Sequence, residues 1–327
     1  MKPILTTICL ILLSGFAPAR NQLGRYYRNL DKAEEFIIKK EYKKAILKYK
    51  AAIKLNPAIY SNADCLNAIQ CYVKSSASHS ESPFIRLLLS RGVPESYFMD
   101  NYCHLDYDFE HEVKSVVDSA LIAIVDSMYL MDQQYRYDYE GYYPLIKRID
   151  SLNQVKMVGL IKQYGYFKYR LGSRVEENGV LVEGLGFNVL LIHQVKKDPN
   201  YFAGILENEL FNGRMSREAF YFYSKNFQHI NRYNLGCDQY LINSIFIRVR
   251  DNVYTCCCDR EKISNKNRKK FYLNRLETVR FKTKFAHSNP EFRLGSNIMT
   301  FNSNKGDQDY DLFVKELFDK GFVLFRE

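Results

Sequence analysis

The sequence predicts a mainly α-helical protein with one small antiparallel β-hairpin. Three observations predict it. Apolar residues recur at three- and four-residue steps in one segment after another, the spacing that lines a helix face. Proline and glycine punctuate those segments where helices start and stop. A single stretch, 241–258, leaves that period for an alternating one. At 327 residues, 46% hydrophobic and 26% charged, the chain has the composition of a globular protein of about two domains. Tryptophan is absent while Tyr (26) and Phe (22) are abundant, so these rings must fill the core edges and grooves.

The first residues set the expected location. Met1-Lys2 is a short positive start. Ile4 to Phe16 is apolar except at Thr6, Thr7, Ser14 and Gly15, and Ala17-Pro18-Ala19 places small residues before a cleavage point. This is the layout of a secretory signal peptide over 1–19. The run is too short for a comfortable membrane span, and the residues just after Ala19 include no Cys to take a lipid. No later segment is apolar enough to cross a bilayer. The mature chain is therefore expected in the periplasm or secreted, with no transmembrane segment after cleavage.

Residues 20–108 come next. Ala33, Phe36, Ala45, Tyr49, Ala52 and Pro57 follow one another at the spacing of a tetratricopeptide repeat. Small alanines let two antiparallel helices approach, aromatic rings fill the gap, and Pro57 stops the second helix. Asn29 stands where the repeat usually has a large aromatic. The segment resembles that repeat, and one repeat needs neighbours to bury its faces. Asn62 to Lys74, with Leu66, Ile69 and Val73 on one face, is a candidate. So is a helix opened by Ser82-Pro83 and closed by Gly92 and Pro94. A groove lined by Phe36, Tyr49 and Tyr72 is the expected peptide-binding surface.

Residues 109–327 read as a second, mainly helical domain. A long helix is expected from about Glu110 to Tyr135, with Val113, Val116, Val117, Leu121, Ile124, Met128 and Met131 at helical steps. Asp150-Ser151 caps a helix that ends at Gly165. Gly186 to Lys197 is another, Asp198-Pro199 starts the next, and Ser216 caps a fourth. Leu241 to Val249, an Asp251-Asn252 turn and Val253 to Cys258 make the hairpin. A basic helix follows over about Lys262 to Phe285, then a helix from Asp309 to Lys320 and an apolar tail, Phe322 to Phe325.

Net charge is +10, of which Lys2 carries one unit. In an exported chain this balance points to anionic head groups, polysaccharide or acidic proteins and away from nucleic acid. Lys266, Arg268, Lys269 and Lys270 form the densest basic stretch, read as a solvated helix face or an anionic-surface site. Of eight cysteines, seven remain after cleavage: Cys65, Cys71, Cys103, Cys237, Cys256, Cys257 and Cys258. Cys65 and Cys71, about 9 Å apart on one helix, are too distant to bridge. Cys256-Cys257-Cys258 reads as small buried hydrophobes or a bridge to Cys237, because alternate faces do not make a tetrahedral metal site. His104, Asp106, Asp108 and His111 are the nearest approach to a metal cluster and mix ligand types loosely. No metal site and no cofactor are expected.

No nucleophile elbow, zinc-helix motif, P-loop or dinucleotide fingerprint occurs. Asp132 and Arg136, four apart, share a helix face, either as an exposed ion pair or as the wall of a pocket. His193 sits on the apolar helix Leu190-Leu191-Ile192-His193-Gln194.

These residues carry a second resemblance. Over about 117–285 the chain is similar to an uncharacterised bacterial domain family of unknown function. Asp132, Gln133 and Arg136 match its D-Q-x-x-R stretch, Tyr164-Gly165 its Tyr-Gly turn, and Leu190 to Gln194 its His-bearing helix. Gly236, Gln239 and Tyr240 match part of its G-x-x-Q-x-Y-G-T stretch, and Asn265 to Leu273 its closing helix. Leu241-Ile242-Asn243 replaces the turn that should follow, and 176–184 reads as an insertion. The resemblance supplies no activity.

Two functions follow. The leading one is an exported protein- or peptide-binding module. The alternative is a hydrolase-type enzyme with a pocket around Asp132, Arg136, His193 and Gln239. There His193 would be general base, Asp132 its orienter, and Arg136 the anchor for an anionic group.

Overall fold

The computed structural model describes residues 21–77, 82–102, 107–109, 113–176, 179–227, 246–249, 252–256, 261–294, 299–301, 311, 314–315, 318 and 322–324. The protein is mainly helical, with small β elements, and separates into two compact units, Met1–Ser216 and Arg217–Glu327.

Unit 1 begins with α1 (21–38) and α2 (Tyr42–Leu55). They run antiparallel, since Gln22 Nε2 donates to Leu55 O at 2.8 Å. Ala33, Ala45 and Ala52 are completely buried, the close approach that small residues permit. Ser61 accepts the Asp64 amide and starts α3 (Asn62–Ser75), which carries the buried thiols of Cys65 and Cys71. Ser82 and Pro83 open α4 (Pro83–Ser90) as expected, and α5 (Glu95–Asn101) follows. Tyr26, Tyr49, Tyr60 and Phe84 pack ring against ring at 5.8–6.4 Å across these helices.

The expected long helix is shorter. Asp118 accepts the Leu121 amide and caps α6 (Ser119–Gln133). Residues 113–118 are not helical. The Val116 amide goes to Ser90 O and the Asp118 amide to Arg170 O, so tertiary partners replace a helical ladder. The helix α7 (Tyr143–Tyr164) starts earlier than expected, with Pro144 in its first turn, and ends at Gly165. Gly165 has φ +72°, and a Cβ there would meet the Arg214 side chain at 2.7 Å. The close of unit 1 is α8 (Leu185–Lys197) and α9 (Pro199–Phe211), where Asp198 caps α9 through the Tyr201 amide. Helices α6, α7 and α8 pack against one another in all three pairings, and α9 lies on α8. Gly186 brings α8 close to α6, since a Cβ there would sit 3.2 Å from Tyr129 Cβ.

The segment read as an insertion, 176–184, supplies the second strand of an antiparallel hairpin, β1 (Ser173–Val175) with β2 (Leu181–Glu183). Arg91, fully buried, ties it to the first helices. The guanidinium donates to Asn62 Oδ1 at 2.9 Å and Pro57 O at 3.3 Å, lies 4.2 Å over the Tyr169 ring, and approaches Glu183 at 3.9 Å.

Unit 2 holds α10 (Arg217–Ser224), α11 (Glu261–Lys270) and α12 (Leu276–Ser288). The basic helix expected as one piece is two, broken at Tyr272, which has φ +60°. The expected hairpin is present as β3 (Phe246–Val249) and β4 (Asn252–Cys256), antiparallel with Val249 opposite Asn252. It lies inside a four-stranded sheet of order β5-β3-β4-β6. There β5 (Met299–Phe301) runs parallel to β3, and β6 (Phe322–Leu324) antiparallel to β4.

Candidate functional site

The polar cluster of unit 1 is built on three helices. Asp132 ends α6, and its side chain is completely buried. Arg136 lies one turn on, in the 3₁₀ turn Arg136–Asp138. Asp150 is supplied by α7 and His193 by α8. Arg136 grips Asp132 with two parallel bonds, Nε to Oδ2 at 3.0 Å and Nη2 to Oδ1 at 2.8 Å. The same Nη2 donates to Asp150 Oδ1 at 2.5 Å. Gln133 Nε2 adds a bond to Asp132 Oδ2 at 2.6 Å, and His193 Nδ1 lies 2.8 Å from that oxygen.

The electrostatics fix protonation. Burial alone would raise the Asp132 pKa. The hydrogen bonds and charges of His193 and Arg136 outweigh it and hold Asp132 at about 2. An ionised carboxylate only accepts, so Nδ1 of His193 carries the proton that points at Asp132. In neutral His193 the basic lone pair is then on Nε2. The side chain keeps 23% of its surface exposed, so it is held in orientation by Asp132 without being sealed from solvent. Arg136 is held protonated by Asp132 and Asp150 against the opposing effect of burial. Tyr135 and Tyr137 flank Arg136 in the chain, and the Tyr142 ring lies 5.3 Å from that of Tyr135 and 5.6 Å from that of Tyr137. Tyr137 is the most exposed of them.

Of the four residues expected to converge, Asp132, Arg136 and His193 do. Gln239 lies outside the described residues. So do Gly236, Tyr240, His104, Asp106, His111, Cys103, Cys237, Cys257, Cys258 and the segment 1–19. Asp150 was missed as a member of the cluster because it reads as a helix cap, whereas α7 begins a full two turns earlier. Pro144 is the signal that marks that earlier start. Among the described residues, no group of three or more His, Cys, Asp and Glu is placed to hold a metal ion.

Two expectations are corrected. Tyr49 and Tyr72 are core side chains, and Phe36 is half-buried, so they do not line an open groove. Their rings fill the space between the first helices, and this packing closes the surface they were expected to form. Arg268 does not belong to a basic surface. It is 2% exposed, donates to Asn274 O at 2.5 Å, and lies 5.0 Å over the Tyr221 ring. Lys266, Lys269 and Lys270 are exposed on α11.

No family model matches the chain, and no curated protein or solved structure does either.

Proposed function

We propose that unit 1 carries a hydrolase-type acid–base site. His193 takes a proton from water or a substrate hydroxyl through Nε2, and Asp132 holds the ring and stabilises the imidazolium that forms. Arg136, itself anchored by Asp150, faces an anionic or polarised group of the substrate, and the exposed Tyr137 ring gives it a stacking surface. The observation that carries this reading is the 2.8 Å approach of a buried, ionised Asp132 to a His193 that is still partly exposed. The leading reading of the sequence, a binding module with a peptide groove on the first helices, loses the support of Tyr49 and Tyr72, which are buried. Export to the periplasm or the medium is part of the proposal and rests on the layout of residues 1–19.

The test is hydrolysis of model carboxylic and phosphoric esters by the full chain and by His193→Gln. Turnover should fall by about a hundredfold or more in the variant, with unchanged circular dichroism and melting. Equal rates in a folded variant would remove the proposal, and a rate lost through unfolding would not support it.

A further inference from the structure

Outside the polar cluster, α6 and α7 leave a second concavity, a groove between the two helices. Its volume is about 670 Å³, and its walls include Ile124, Ser127 and Met128 from α6 and Lys156, Gly159 and Leu160 from α7. The inward face of α6 is Leu121, Val125 and Met128. Ile124 and Met131 project on a second side and are each 44% exposed. Ile124 and Met131 thus widen the apolar stripe of α6 beyond its inward face. On α7, Leu152, 50% exposed, and Val155, 74% exposed, lie two turns and one turn before Gly159 on the same side of the helix. Such contiguous exposure marks an interaction surface more often than a solvated one. Space stands open over Gly159, where a Cβ would meet nothing within 4 Å. A partner backbone can therefore approach closely.

Charge selects the partner. Arg148, Lys156 and Lys162 stand exposed along the same helix, and none forms an ion pair among the described residues. The single acid of α7 is Asp150, which is engaged by Arg136. Two copies of this face would meet with like charge, whereas an acidic partner would complement it. An antiparallel helix pair with small residues at its centre has the shape that receives a third helix at steps of three and four residues. We infer that the α6–α7 groove docks an acidic amphipathic helix of a partner protein. This inference stands independently of the acid–base site, whose side chains do not line the groove.

The experiment is fluorescence anisotropy of the purified full chain with a labelled four-turn peptide. The probe carries leucines at i, i+3, i+4 and i+7 and glutamates elsewhere, and its control carries lysines for the glutamates. The expected result is saturable binding of the glutamate peptide, weakened by salt, and none of the control. Arg148→Glu with Lys156→Glu should weaken binding at least about tenfold. Gly159→Leu, which favours the helix and fills the groove, should abolish it without lowering the melting temperature. If Gly159→Leu does not fold, the charge pair alone decides. Absence of binding at about 100 μM, equal binding of both peptides, or unaltered binding to the folded variants overturns the inference. So does concentration-dependent dimerisation that Gly159→Leu removes, which makes a second copy the occupant. Binding to anionic phosphatidylglycerol vesicles that Gly159→Leu removes, with no peptide binding, overturns it in favour of a lipid surface.

Discussion

Asp132 shows how much one side chain can organise. Its two oxygens receive bonds from Gln133, Arg136 and His193, and the carboxyl is held at about 2 against the 3.8 of a free group. The folded state thus holds this proton less tightly than the unfolded chain. The stabilisation is complete above the unfolded value and is lost as pH falls from about 4 toward 2. It amounts to something on the order of 2 kcal/mol. In urea titrations the native protein should lose stability over that window more steeply than Asp132→Asn, whose neutral amide does not titrate. Identical slopes would show that the carboxylate is protonated with no preference for the folded form. The four-residue spacing of Asp132 and Arg136 makes their pairing legible in the sequence. Its burial is not, because the same spacing serves an exposed pair equally well, and only the packing of α7 and α8 over the end of α6 decides.

At the scale of elements, punctuation was the most readable signal. Ser82-Pro83, Gly165, Asp198-Pro199 and the β3–β4 alternation all mark boundaries that the chain observes. Periodicity alone misled over 113–118, where the valines continue the helical spacing but Asp118 caps the helix and the backbone pairs with Ser90 and Arg170. The β1–β2 hairpin carried a readable signal in Asn178-Gly179, flanked by Val175 and by Val180 to Val182. The aromatic spacing of the first helices was legible, but not its consequence. Tyr49 and Tyr72 at core positions and at groove positions give one and the same pattern. What no local pattern discloses is Arg91, the link between this hairpin, α3 and the turn at Pro57. Its planar fork makes directed bonds and stacks on Tyr169, which an ammonium cannot reproduce. Arg91→Lys should therefore lower unfolding stability by about 2–3 kcal/mol, read as a lower urea midpoint. A variant within 0.5 kcal/mol or so of the native protein would show that the stem packing of Arg91 outweighs its hydrogen bonds.

For the whole molecule, the mainly helical class was legible because composition and period agree along most of the chain. The division at Ser216 was not, since no linker-like run of proline, glycine or charge marks it. Export is tested directly by sequencing the amino terminus of protein expressed with its first 19 residues in a bacterial host. The expected result is a chain beginning at Arg20 in the periplasmic fraction. A full-length amino terminus retained with the cells would refute cleavage. Export would also bring Cys65 and Cys71 of α3 into an oxidising compartment. Both lie sealed among the first helices, and burial pushes the Cys71 thiol up to about 12 and the Cys65 thiol higher still. A thiol so held is neither a thiolate nor within reach of an oxidant, so it reacts only when the helices part. The two side chains are in that sense a clock. The rate at which an alkylating reagent marks the Cys65 and Cys71 peptides counts the openings of the amino-terminal helices, and it should rise in step with any substitution that loosens them.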